Sequence, residues 1–128
     1  MRDGARLDWL ETALPPDRFA LMLGAFVDGT AQRIARLGPM AAAGDLDGLR
    51  HDAHNMISIC GNLGEVRVQI LAEKLQAACI EGDRAAVDAL VPAIEDAARN
   101  AVAFMRARLA ARDVVRNAAS GAHGGASA

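Results

Sequence analysis

The sequence predicts an all-α fold: an antiparallel up-down four-helix bundle with a short extra helix at its N-terminal end. Three observations carry this reading. Aromatic residues are only 3% of the 128, with one Trp, three Phe and no Tyr, so the side chains that strands favour are scarce. Alanine, the strongest helix former, is the commonest residue. Apolar residues recur at steps of three and four between Pro and Gly-Asp pairs, which is helical spacing with helical stops.

The elements follow in order. Leu7, Trp9, Leu10 and Leu14 make the short first helix, a lid on one end of the bundle. Pro15-Pro16 stops it, and a proline suits the first turn of the helix that follows. From about Asp17, residues Phe19, Leu23, Phe26, Ile34 and Leu37 form one face of a second helix. Gly38-Pro39 is expected to kink or end that helix, since proline lacks the N–H donor; the Ala-rich residues 40–43 can add one more turn. The third helix runs from about Leu46 to Gly61. Its seam of Leu46, Leu49, Ala53, Met56 and Cys60, continuing to Leu63, alternates steps of three and four, the period of close antiparallel packing. Gly64 breaks the chain before a fourth helix with Val68, Leu71, Leu75 and Ala78. A fifth carries Val87, Leu90, Val91, Ile94, Ala98, Ala101, Met105 and Leu109. The Gly-Asp pairs at 44–45 and 82–83 are turn chemistry: Gly ends one helix and Asp caps the next. The bundle is assigned to residues 1–116; residues 117–128 have nothing to bury and are expected to form a disordered tail.

Composition excludes several functions. A net charge of -2 leaves no basic footprint for nucleic acid. No apolar run reaches the ~18 residues of a membrane span. The N-terminal residues lack the apolar stretch of an export signal, so a cytoplasmic location is expected, with Cys60 and Cys79 as reduced, buried thiols. The three His and two Cys show no paired metal-ligand spacing, and no metal or cofactor of the chain's own is expected. Neither a phosphate-binding loop nor a kinase glycine loop is present, so no ATP-dependent kinase activity is expected.

The third helix carries the residue with chemical promise. Arg50, His54, Ile57 and Gly61 each follow a seam position and so form a stripe rotated about 100° from it. His54 is therefore expected on the rim, within reach of a partner. His51, one turn earlier, and His123, in the tail, read as solvated histidines.

The surrounding stretch, Gly44-Asp45-Leu46 through Ala53-His54, resembles the approach to the active histidine of histidine-containing phosphotransfer (HPt) domains. Gly61-Asn62-Leu63-Gly64 is similar to the family's small-Asn-apolar-Gly ending, with Gly64 ten residues after the histidine. Gln76 stands where several members carry a glutamine on the next helix. The likeness covers roughly residues 7 to 110. It implies a protein that relays a phosphoryl group between receiver-domain aspartates in a bacterial two-component phosphorelay. His54 is then the phosphoacceptor and Gln76 orients its ring. Arg50, Ile57, Ser58 and Gly61 form the docking surface. The implied partners are a response-regulator receiver domain, which supplies Mg²⁺, and a hybrid or sensor histidine kinase.

One departure stands out. The family signature runs His-x-Leu-Lys-Gly, whereas this chain has His54-Asn55-Met56-Ile57-Ser58. Met56 matches Leu in volume, and Ser58 is small enough to keep docking possible. Ile57 removes an ammonium worth about 0.5–1 kcal/mol at a partly exposed site. Arg50, one turn back on the same stripe, is a candidate to supply a cation instead. The missing lysine leaves two other readings: a degenerate module that binds a receiver without efficient transfer, and a structural bundle in which His54 is incidental.

Overall fold

The computed structural model describes residues 2–127, with the side chains of 116, 117 and 119–127 outside the description. Its five helices are α1 (Gly4–Ala13), α2 (Pro16–Ala43), α3 (Leu46–Asn62), α4 (Val66–Glu81) and α5 (Arg84–Ser127). No strand occurs among the described residues. Helices α2 to α5 form the bundle, each packed on its neighbour in the chain and α5 closing back onto α2.

The punctuation works as turn chemistry requires. Gly44 and Gly82 end α2 and α4 with φ of +71° and +70°, a left-handed conformation that costs other residues about 1–2 kcal/mol. The Asp45 carboxylate then accepts the Gly48 N–H at 2.9 Å and Asp83 accepts the Ala86 N–H at 3.1 Å, so α3 and α5 both start capped. Pro16 occupies the first turn of α2, where its missing N–H has no intrahelical role.

Of the two outcomes expected at Pro39, a kink or an end, the end does not occur: α2 runs on to Ala43. The ring is exposed, and so is Ala35, whose carbonyl loses its donor and is left to water. Leu37 on the inner face is fully buried and Met40 packs against the core, so continuing the helix gains apolar burial that offsets the lost hydrogen bond. Helix α5 extends to Ser127 and so takes in residues that the sequence assigns to a tail at 117–128. Most side chains of that stretch, His123 among them, lie outside the described residues.

The core is aliphatic and follows the predicted seams. Leu49, Ala53, Met56 and Cys60 of α3 meet Val68, Leu75 and Ala78 of α4 in one cluster with Phe19, Leu23, Leu37, Ile94 and Met105. Cys60 and Cys79 are free and buried. Burial pushes the Cys60 thiol up to about 12, with the nearby Glu65 carboxylate adding to the rise, so it packs as a neutral apolar group.

Helix α1 is fastened by its polar edge as well as by Leu7, which is buried. The Asp3 N–H donates to the Gly64 carbonyl at 2.8 Å, and Arg6 Nε donates to the Asn62 carbonyl at 2.9 Å. Gly64 has a φ of +78°, and a Cβ there would stand 2.5 Å from the Asp3 carbonyl oxygen. The glycine is thus required twice, by its backbone angle and by the close approach of α1. Arg108 and Arg112 of α5 hold the other end through Asp8 and Glu11.

Candidate functional site

Helix α3 turns its seam inward and leaves its outer flank to the α3–α4 rim. Leu49, Ala53, Met56 and Cys60 are buried, which fixes the rotation of the helix. His54, one position past Ala53, is consequently exposed. Antiparallel packing of α4 brings Gln76, half-buried, to the same level. His54, Gln76, Arg50 and His51 line one cleft. Among the described residues no hydrogen bond joins Gln76 to His54, so the glutamine stands beside the ring without holding it.

The other stripe residues divide. Arg50 and Ser58 are exposed. Ile57 is half-buried and packs against the core, so this member of the expected docking surface is only partly open to a visitor. Gly61 is also half-buried. A Cβ there would stand 3.1 Å from Gln69 Oε1, so the missing side chain lets an α4 glutamine lie against α3. What the rim offers a visitor is therefore His54, Arg50 and Ser58, with Ile57 and Gly61 as its floor.

Sequence reasoning missed two features here. His51 lines the His54 cleft, and its Nε2 lies 3.4 Å from Asn55 Nδ2. The three-residue spacing from His51 to His54, which places both on one side of a helix, was the available signal. Asp52 is buried behind the rim, where it accepts two hydrogen bonds from Arg36 of α2, Nε at 3.1 Å and Nη2 at 3.0 Å. This fork-to-carboxylate pair fixes α3 against α2 on the side away from His54. Hydrogen bonding to Asp52 raises the affinity of the Arg36 guanidinium for its proton. Nothing in the local pattern distinguishes Asp52 from a solvated carboxylate.

The described residues contain no group of three or more His, Cys, Asp or Glu able to hold a metal ion. Among the described residues no helix is long and apolar enough to cross a membrane. The site is an exposed imidazole on a rigid helix, flanked by a guanidinium and an amide, and such a group serves as a nucleophile towards an electrophile brought by a partner.

A family model, the Hpt domain, matches residues 21–123. The chain belongs to the Hpt domain family. It is a histidine phosphotransfer module, and the match includes all of α3 and α4 with the cleft between them. The crystal structure of histidine-containing phosphotransfer protein B (HptB) from Pseudomonas aeruginosa PAO1 is similar to this Hpt domain, with a TM-score of 0.78 and 23% identity, covering 84% of this chain and 93% of that one. At that identity the likeness shows the shared helical fold. No curated protein matches the chain.

Proposed function

We propose that this Hpt domain carries a phosphoryl group between receiver-domain aspartates, with His54 as the acceptor. The observation that carries the reading is the exposure of His54 on the α3–α4 rim, inside the Hpt match and beside Gln76. The receiver brings an aspartyl phosphate, its Mg²⁺ and its own charged cluster. A ring nitrogen of His54 directs its lone pair at phosphorus, a P–N bond forms, and the P–O bond to the aspartate breaks with its electron pair returning to the carboxylate. By analogy with the family, Nε2 attacks and Nδ1 keeps its proton, with Gln76 taking that N–H once a partner closes over the rim. The reverse step delivers the phosphoryl to a second receiver.

The chain supplies a nucleophile and a docking face, and its sequence carries neither a phosphate-binding loop nor a kinase glycine loop, which supports a partner as the phosphoryl source. A response-regulator receiver and a hybrid or sensor histidine kinase are the partners proposed, with the cytoplasm as the setting. Incubation with a phosphorylated receiver domain tests this. Wild type should acquire acid-labile, base-stable label and His54→Gln should acquire none; label that survives in His54→Gln would sink the assignment. The absence of a lysine at Ile57 supports one second reading, a module that binds a receiver and transfers poorly. That reading gains if complexes form while neither protein is labelled.

A further inference from the structure

A phosphoryl group on an imidazole places close to two negative charges on the exposed rim, and the charged groups around His54 are unevenly disposed. Two contacts set the register of α3 against α4: Gly61 lies under Gln69, and His54 shares its cleft with Gln76. In an antiparallel pair this register puts Ile57 and Ser58 level with Glu73, and Arg50 level with Ile80. The side of His54 towards Gly61 therefore holds an aliphatic group, a hydroxyl and a carboxylate. Glu73 Oε1 accepts the Gln69 Nε2–H at 3.4 Å, a long contact that leaves its charge in place. Lys74 gives no help, because two helical steps from Gln76 turn it about 200° away, off the rim.

The opposite side differs. Arg50 is the one guanidinium or ammonium that lines the cleft among the described residues. It is exposed, and it leans far enough towards α4 for its charge to oppose the rise of the Cys79 thiol, which burial drives. Its recorded ion contact is to Asp47 Oδ1 at 4.0 Å, the outer limit of a pair, and the Asp47 side chain is 98% exposed. A pair so long and so wet holds its arginine weakly. Arg112, by contrast, sits 2.6 Å from Glu11.

We infer that Arg50 is the counter-ion of phosphorylated His54, with Asp47 as its resting partner, and that phosphorylation draws the guanidinium from the carboxylate to the phosphoryl oxygens. The exchange makes and breaks no covalent bond. It rests on the reading of His54 as acceptor. It assigns the neutralising charge to the turn before the histidine, where the chain has a cation, and not to the turn after it, where Ile57 and Glu73 stand. His51, in the same cleft, adds positive charge only when protonated, so the assignment is made to the permanently charged group.

The full-length chain can be phosphorylated without any receiver by phosphoramidate, which gives up its phosphoryl to an imidazole nitrogen as ammonia leaves. The acidity of the resulting phosphohistidine is then read by ³¹P NMR titration. Arg50→Gln should raise the proton affinity of the phosphoryl group about two- to fivefold, the range of an ion pair at an exposed site, and Arg50→Lys should restore most of the difference. Molar salt should shrink the gap between wild type and Arg50→Gln. Asp47→Asn should lower the proton affinity in the wild-type background and lose that effect when Arg50 is also Gln. A titration unmoved by Arg50→Gln, with label on His54, overturns the counter-ion. An Asp47→Asn effect of equal size in both backgrounds overturns the exchange of partners. Label that a phosphorylated receiver leaves on His54→Gln is a different failure, that of the acceptor assignment itself; phosphoramidate also reaches the exposed His51, so its ³¹P signal is assigned by comparison with His54→Gln.

Discussion

Along the seam between α1 and α5, Arg108 reaches Asp8 at 2.8 Å and Glu11 at 2.7 Å, and Arg112 reaches Glu11 at 2.6 Å. Along the α3–α4 rim, Arg50 stands 4.0 Å from Asp47, and Asn55–His51 and Gln69–Glu73 are 3.4 Å apart. The residue types are alike and the use is opposite. At the seam, donors and acceptors satisfy one another and bind a short helix to a long one, leaving little for a visitor. At the rim they stay loosely engaged with each other and open to water, as the proposed docking of a receiver would need. Short polar contacts fasten α1 to α5, and the contacts along the α3–α4 rim are longer.

Four substitutions probe that contrast, and the largest expected effect is at Gly64. Gly64→Ala forces a Cβ into a left-handed turn and against the Asp3 carbonyl, so urea unfolding should show a loss of about 2–4 kcal/mol. A loss below about 0.5 kcal/mol would mean that α1 shifts freely and that its fastening is weak. Next comes Asp52→Ala, which removes two charged hydrogen bonds but leaves Arg36 half exposed and able to rehydrate. The expected cost is about 1–2 kcal/mol, smaller than for a fully buried pair. A double-mutant cycle with Arg36→Ala checks the cause, and a negligible coupling would assign the cost of Asp52→Ala to packing.

The seam itself predicts a pH dependence. Hydrogen bonding from Arg108, helped by Arg112, holds the Glu11 carboxyl below its ordinary value of 4.5 against the opposing effect of burial. A depressed value means that the unfolded chain takes up the proton first as pH falls. The Glu11 contribution is therefore complete above about pH 4.5 and is lost as pH drops through the folded value. At pH 7, Glu11→Gln should cost about 0.2–1 kcal/mol, since the group is partly solvated and screened. In strong acid the variant and wild type should unfold alike; a gap that persists there would remove the charge from the explanation. The smallest effect belongs to the rim. Asn55→Ala should leave stability within about 0.5 kcal/mol, and a larger loss would mean that the rim is structural after all.

Much of this was legible in the chain. The α3 seam was readable because a three-four alternation admits one buried face, and the rim position of His54 follows from it by rotation. Both Gly-Asp turns were readable because left-handed glycine and capping aspartate act on their nearest neighbours in sequence. Pro39 left a kink and an end both open because the local rule counts the lost donor, whereas the burial of Leu37 on the inner face decides whether the helix goes on. How far Ile57 is covered was not legible for a similar reason: a flank position is open or closed according to how near the next helix stands. Glu65, buried and held by Arg2 Nε at 2.7 Å and 2.8 Å, had no local mark, since its partner is 63 residues away.

The amino-acid order determined what adjacent residues can do to one another: where each helix begins, which face is apolar, and which side chain follows the seam by one step. These are interactions over one or two turns, and short-range sterics and hydrogen bonds dictate them. Only the tertiary structure decided which charges meet. Arg36 with Asp52, Arg108 with Glu11, and Arg50 left almost free beside His54 are outcomes of how the helices stack. Coulomb attraction and burial act through space, so a charge's partner depends on distances that the linear order does not contain.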